Sequence, residues 1–359
     1  MKLFGGQYRR RRVLLTGHTG FKGSWLTLWL TELGASVVGV ALPPDTTPNH
    51  WNLLGLDISD HHLDIRDYTA LARILKEVRP EIVFHLAAQP LVRCSYRDPL
   101  GTWSTNVMGT ANLLEACRQT EGIRAIVAVT TDKCYENKEW ARGYNETDRL
   151  GGHDPYSASK AAAELVAASY RSAFFHEAHS PLLATARAGN VIGGGDWSED
   201  RLIPDLVRAI TSGGLLEIRS PQATRPWQHV LESLSGYLLL GQKLLEGRRE
   251  FAEAWNFGPA PDDNRTVADV LMRLKIHWPE LDWEVTDRSH PHEADLLYLD
   301  SAKAHVQLGW RPTWSLDDAL AATAGWYRAY QSGGRVDSRS QLGAFVAQAQ
   351  AAGREWADQ

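Results

Sequence analysis

The chain has 359 residues, 43% apolar and 23% charged, with 38 basic side chains against 43 acidic ones for a net charge of −5. At roughly 150 residues per domain this suggests about two domains, with a core that needs no metal or disulfide. The acidic balance argues against a nucleic-acid binder, and no apolar run approaches the ~18 residues of a membrane span. Cys94, Cys117 and Cys134 lack disulfide-scaffold count and zinc-ligand spacing, which suits a cytoplasmic protein.

Arg9 to Arg12 precede the apolar stretch Val13–Leu15, which Thr16-Gly17 interrupts. That stretch is too short for a secretory core, so the arginines read as a solvated lead-in to a first strand. Further strands are expected at Ser36–Val40, Ile82–Leu86, Ala125–Val129 and Leu182–Ala186, with a late one at Trp255–Phe257. Several are apolar throughout, as in strands covered on both faces. Helices are expected at Lys22–Glu32, Tyr68–Val78, Pro99–Gln119, Pro155–Glu177 and Leu202–Thr211.

Alternating strands and helices predict an α/β fold, a Rossmann-type doubly wound parallel sheet. Residues 1–188 would form the nucleotide-binding domain, with 229–258 returning to it. Residues 189–228 and 259–330 would form a smaller, discontinuous substrate lobe, and 331–359 a polar tail, helical on the surface or frayed.

Thr16-Gly17-His18-Thr19-Gly20-Phe21-Lys22-Gly23 follows the first strand and opens a helix. Small residues there let the backbone approach a pyrophosphate, and a helix N-terminus offers free N–H groups. The GxxGxxG spacing alone also suits a plain turn. Asp64 and Ile65, beyond a third strand, are placed to meet an adenine. Leu86, Ala87, Ala88 and Gln89, at the end of the fourth strand, are placed to meet a ribose. Together these point to a dinucleotide. After Val40 come Ala41-Leu42-Pro43-Pro44, without the usual acidic partner for the ribose hydroxyls. Asp45 could substitute from the loop. No arginine follows to hold a 2′-phosphate, so NAD is expected over NADP.

Tyr156 and Lys160, four apart on a helix, share one face. An ammonium beside the phenol would let Tyr156 act as a base near neutral pH. Thr131, after the fifth strand, could hydrogen-bond the substrate oxygen that Tyr156 deprotonates. The TGxxGFxG motif, the strand-end threonine and YxxxK resemble the extended short-chain dehydrogenase/reductase family. Thr131-Asp132-Lys133 resembles its sugar-nucleotide 4,6-dehydratase branch. The segments 131–137, 187–197 and 224–230 resemble those members that act on CDP-glucose. The resemblance runs from about residue 11 to about residue 312.

The resemblance implies NAD as cofactor and CDP-glucose as substrate. Tyr156 would take the 4-hydroxyl proton as C4 is oxidised, water would leave across C5/C6, and hydride would return to C6. Asp132 is the candidate acid for the departing 6-hydroxyl. Many dehydratases of this branch carry Glu where this chain has Lys133, the candidate C5 base or else a charged stabiliser of the enolate. Asn190 and Arg225, with Arg208 and Arg219, are candidates for the substrate diphosphate. One of the 14 tryptophans could stack on the cytosine. His290, His292 and Glu293 superficially resemble a metal cluster, but the chemistry needs no metal and none is expected. A homodimer or dimer-based tetramer through the Pro99–Gln119 and Pro155–Glu177 helices is implied. Other readings are a 4-epimerase or reductase of the same family, or a non-catalytic NAD-sensing protein on this fold.

Overall fold

The computed structural model describes residues 3–286 and 296–358. His290, His292 and Glu293 lie outside the described residues. Among those described, the central sheet has seven strands. They are β1 (Arg12–Thr16), β2 (Ser36–Ala41), β3 (Ser59–His62), β4 (Ile82–His85), β5 (Ala125–Val129), β6 (Leu182–Ala188) and a last strand, Ala254–Phe257. The spatial order is Ala254–Phe257, β6, β5, β4, β1, β2, β3. Every neighbouring pair runs parallel.

The helices are α1 (Phe21–Glu32), α2 (His50–Leu54), α3 (Tyr68–Val78), α4 (Val92–Arg97), α5 (Pro99–Trp103), α6 (Gly109–Arg118), α7 (Pro155–Ala173), α8 (Leu202–Ser212), α9 (Val230–Leu245), α10 (Val267–His277), α11 (Leu316–Gly333) and α12 (Ser338–Ala351). Successive strand side chains point to opposite faces, so both faces must be apolar and both are covered. Val13, Leu15, Ile82, Phe84 and Val127 pack with α1 and α9. Leu14, Val83 and Ile126 pack with α3, α6 and α7. This is a Rossmann-type doubly wound sheet.

Three elements differ from the sequence expectation. The helix expected over Pro99–Gln119 is interrupted by a wide π turn at Ser104–Met108. That turn buries Asn106, whose side chain accepts from the Gln89 N–H at 2.8 Å and donates to Ser159 Oγ at 2.8 Å. The helix from Pro155 ends at Ala173 rather than Glu177, because Phe175 folds into the core. The tail is neither frayed nor merely superficial. Leu342, Phe345, Val346 and Ala349 recur at helical spacing and are buried. Beyond α12, Trp356 stacks on Phe4 at 5.1 Å and on Phe345 at 5.8 Å.

This cluster binds the two ends of the chain to one core. Trp356→Ala is expected to lower the free energy of unfolding by about 3–5 kcal/mol, read from the urea midpoint at constant slope. A loss below about 1 kcal/mol would contradict the packing described.

Candidate active site

The strand ends set the site. Thr16 pairs with His85, and His85 with Ala128, so β1, β4 and β5 release their chains at one level. β1 has β2 on one side and β4 on the other, and a crevice opens where the connections diverge. There lies a cleft of about 1260 Å³. Gly17 has φ +77°, and a Cβ on it would lie 2.6 Å from the Ala87 nitrogen. A Cβ on Gly23 would lie 1.9 Å from the Gly17 carbonyl oxygen. The loop thus lies against both β4 and α1, leaving a backbone cradle at the start of α1. No side chain caps that helix, so its first N–H groups are available to an anion. The cradle fits a dinucleotide diphosphate.

Gly17, Thr19, Gly20, Phe21, Lys22, Gly23, Asp64, Ile65, Leu86, Ala87 and Ala88 all line this cleft. Asp64 is already engaged: Arg66 Nε and Nη2 bind its carboxylate at 2.6–3.0 Å and hold it below the usual carboxylate range. Gln89 does not line the cleft. Its side chain donates to Thr102 and accepts from the Leu91 N–H, so it braces the loop after β4. Asp45 lines the cleft. His18 points away from it, buried and bonded to Asp60 of β3 at 2.8 Å.

Thr131, Asp132, Lys133, Tyr156 and Lys160 converge on the same cleft. Thr131 is extended and the chain then turns tightly over Asp132–Cys134. The Thr131 hydroxyl donates to Asp132 Oδ1 at 2.9 Å, and buried Oδ2 has no partner among the described residues. Lys133 Nζ likewise makes no hydrogen bond or ion pair among them. Asp154 caps α7 and Pro155 occupies its first turn, which fixes Tyr156 and Lys160 at the helix start. Both side chains are 7% exposed.

Burial dominates their ionisation. It pushes the Tyr156 phenol up to about 12, although the Thr131 hydroxyl and Arg201 draw it down. It pushes Lys160 down to about 8, although Glu164 opposes this. For the phenol, desolvation outweighs the lowering by the Thr131 hydroxyl and the Arg201 guanidinium. Lys22 is a third buried group here, donating to the Tyr237 hydroxyl at 3.2 Å and lowered by burial to about 7.

Asn190, Arg219 and Arg225 line the outer cleft. Arg219 sits 3.6 Å from Asp200, which also accepts from Arg93 at 2.9 Å. Arg208 does not line it. Its guanidinium is committed to the carbonyls of Trp197 and Ser198 and to Asp205, because its place on α8 turns it toward that loop. Among the described residues no group of three or more His, Cys, Asp or Glu could hold a metal. None of their helices is long and apolar enough to cross a membrane.

Residues 14–323 match the family described as GDP-mannose 4,6 dehydratase. The chain belongs to this family. It is 50% identical over 333 residues to the CDP-glucose 4,6-dehydratase of Salmonella typhimurium, across 91% of this chain and 93% of that one. It is 28% identical to a dTDP-glucose 4,6-dehydratase of Xanthomonas campestris, across 89% and 93%. In structure it is similar to DesIV, a dTDP-glucose 4,6-dehydratase from Streptomyces venezuelae solved with NAD and TYD bound. The TM-score is 0.75 at 28% identity, over 89% of this chain and 98% of that one.

Sequence reasoning missed Arg93, Arg201 and Asp200 of the dehydratase cleft. None carries a motif: Arg93 reaches the cleft from α4, and Asp200 and Arg201 lie just beyond the 187–197 segment without a spacing that marks them.

Because Lys160 titrates lower folded than unfolded, its protonation opposes folding. That opposition is full below about pH 8 and fades as pH rises toward about 10.5. Lys160→Met is expected to raise stability at pH 7 by roughly 3 kcal/mol, with the gain shrinking toward about pH 10.5. Thermal unfolding at both pH values checks this, and a variant less stable than the parent at pH 7 would refute it.

Proposed function

We propose that this chain is a CDP-glucose 4,6-dehydratase that converts CDP-D-glucose to CDP-4-keto-6-deoxy-D-glucose with bound NAD. The observation that carries the reading is Asp132, buried with one free carboxylate oxygen, set between Thr131 and Lys133 beside Tyr156. A 4-epimerase needs no such acid and base beside its threonine. The 50% identity to the Salmonella enzyme supports the CDP assignment.

NAD supplies a hydride acceptor and donor that no side chain replaces. Gly17, Gly20, Gly23 and the start of α1 would hold its diphosphate, with Leu86, Ala87 and Ala88 beside its riboses. Tyr156 takes the 4-hydroxyl proton while Thr131 holds that oxygen. Thr131 and Arg201 draw the phenol down, and Lys160 lies one helical turn along the same face. The 4-ketone acidifies C5–H, and Lys133 removes that proton. Asp132 protonates the 6-hydroxyl as it departs. Asn190, Arg219 and Arg225 face the substrate diphosphate. The product is of the kind used in deoxysugar assembly such as lipopolysaccharide O-antigen, in the cytoplasm.

We also assign a homodimer. Leu100 on α5, Met108 on the π turn and Leu165 on α7 are 80%, 56% and 61% exposed. These helices pack together, and a second copy would cover them as a four-helix bundle. Solution mass tests this, and Leu165→Arg should yield monomer.

Turnover of CDP-, dTDP- and GDP-hexoses side by side tests the substrate, since the 4-keto-6-deoxy product absorbs near-ultraviolet light in alkali. Comparable rates on all three would overturn the CDP assignment. Tyr156→Phe should lower kcat by about 10²–10⁴-fold. Lys133→Met should lose solvent deuterium incorporation at C5. Normal incorporation in that variant would assign Lys133 to the enolate instead.

A further inference from the structure

Glu164 lies one turn beyond Lys160 and two beyond Tyr156, on the same side of α7. It is 3% exposed. Its Oε1 accepts from the Thr130 hydroxyl, and its Oε2 accepts from the Thr185 hydroxyl at 2.8 Å and from Arg187 Nη2 at 2.8 Å. Thr130 immediately precedes Thr131, while Thr185 and Arg187 belong to β6. Arg187 also donates to the Tyr135 hydroxyl at 2.7 Å, just past the Asp132–Cys134 turn. One carboxylate therefore links the helix bearing Tyr156 and Lys160 to both flanks of the Thr131–Lys133 segment.

The charges around Lys160 come from four elements. Lys22 on α1 opposes its ammonium, and His85 on β4 is held neutral by burial. Cys134, after β5, is also held neutral, because burial pushes its thiol well up. Burial would push Glu164 up as well, but Arg187 and the two threonine hydroxyls more than offset it. Lys160 Nζ donates to the Val129 carbonyl at 3.3 Å, and Glu164, one turn along α7, is the anion that draws its titration up.

We propose that Glu164 is a positioning residue for the dehydration reaction, holding Lys160 in its ammonium form and fixing the Thr131–Lys133 segment against Tyr156. Only the kinetic arm of its test rests on the dehydratase reading. A purely structural buried ion pair would affect folding or turnover equally at every pH. A positioning role moves a titration.

The test is competitive acetylation of Lys160 with acetic anhydride from about pH 6 to about pH 10, read by peptide mass spectrometry on the protein without nucleotide. Glu164→Gln is expected to move the midpoint of Lys160 reactivity down by about one pH unit, while Glu164→Asp keeps it near the parent value. In CDP-glucose turnover the alkaline limb should fall by the same amount, with activity at about pH 6.5 less affected than at about pH 8. Because Glu164→Gln leaves Arg187 buried without its partner, the double variant Glu164→Gln/Arg187→Gln is run beside it. An unmoved midpoint in either folded variant overturns the proposal. A shifted midpoint in a protein whose parent does not turn over CDP-glucose supports the link between Glu164 and Lys160 and overturns the CDP-glucose assignment.

Discussion

Desolvation is the constraint on which this cleft depends. Tyr156, Lys160 and Asp132 are each less than a tenth exposed. A phenol and an amine so placed are driven toward their neutral forms, as the values of about 12 and about 8 express. Any charge they carry must be supported by a specific neighbour. Among the described residues Glu164 is paired with Arg187 at 2.8 Å, while Asp132 Oδ2 and Lys133 Nζ, both on the cleft, have no hydrogen-bond or ion-pair partner.

The parallel sheet makes this arrangement rigid. Register places Thr16, His85 and Ala128 side by side, so the glycine loop, the Leu86–Ala88 segment and the Thr131–Lys133 segment leave the sheet together. Asn106 ties the segment after β4 to α7 through Gln89 and Ser159. Glu164 ties α7 to β5 and β6. The Thr131–Lys133 segment and the Tyr156–Lys160 pair are therefore held by two elements, a strand end and a helix that packs on it. Epimerase-like and dehydratase-like chemistry can share such a frame, since a fold alone does not fix the reaction.

Gln89 and Arg208 show where reading by position fails. Gln89 follows Ala88 directly, and the strand-end position made it a plausible ribose contact. Instead Thr102 on α5 accepts from its amide, and Asn106 on the π turn accepts from its backbone N–H. Arg208 carries the right charge for a phosphate, but carbonyls of its own lobe already use that charge. The tail looked polar because alanine and glutamine dominate α12. Its few large apolar residues nonetheless fall at core spacing and meet Phe4 and Trp29 from the other end of the chain.

The sequence by itself determined what local spacing controls: apolar strands, the glycines at 17 and 23 where no Cβ fits, and the four-residue step from Tyr156 to Lys160. These follow from covalent geometry and helical or strand period, which operate over a few residues. Only the tertiary structure decided which arginines line the cleft, which side chains Glu164 binds, and in which direction burial moves the phenol. Those properties arise where residues distant in the chain exclude water from one another, and no local pattern encodes that exclusion.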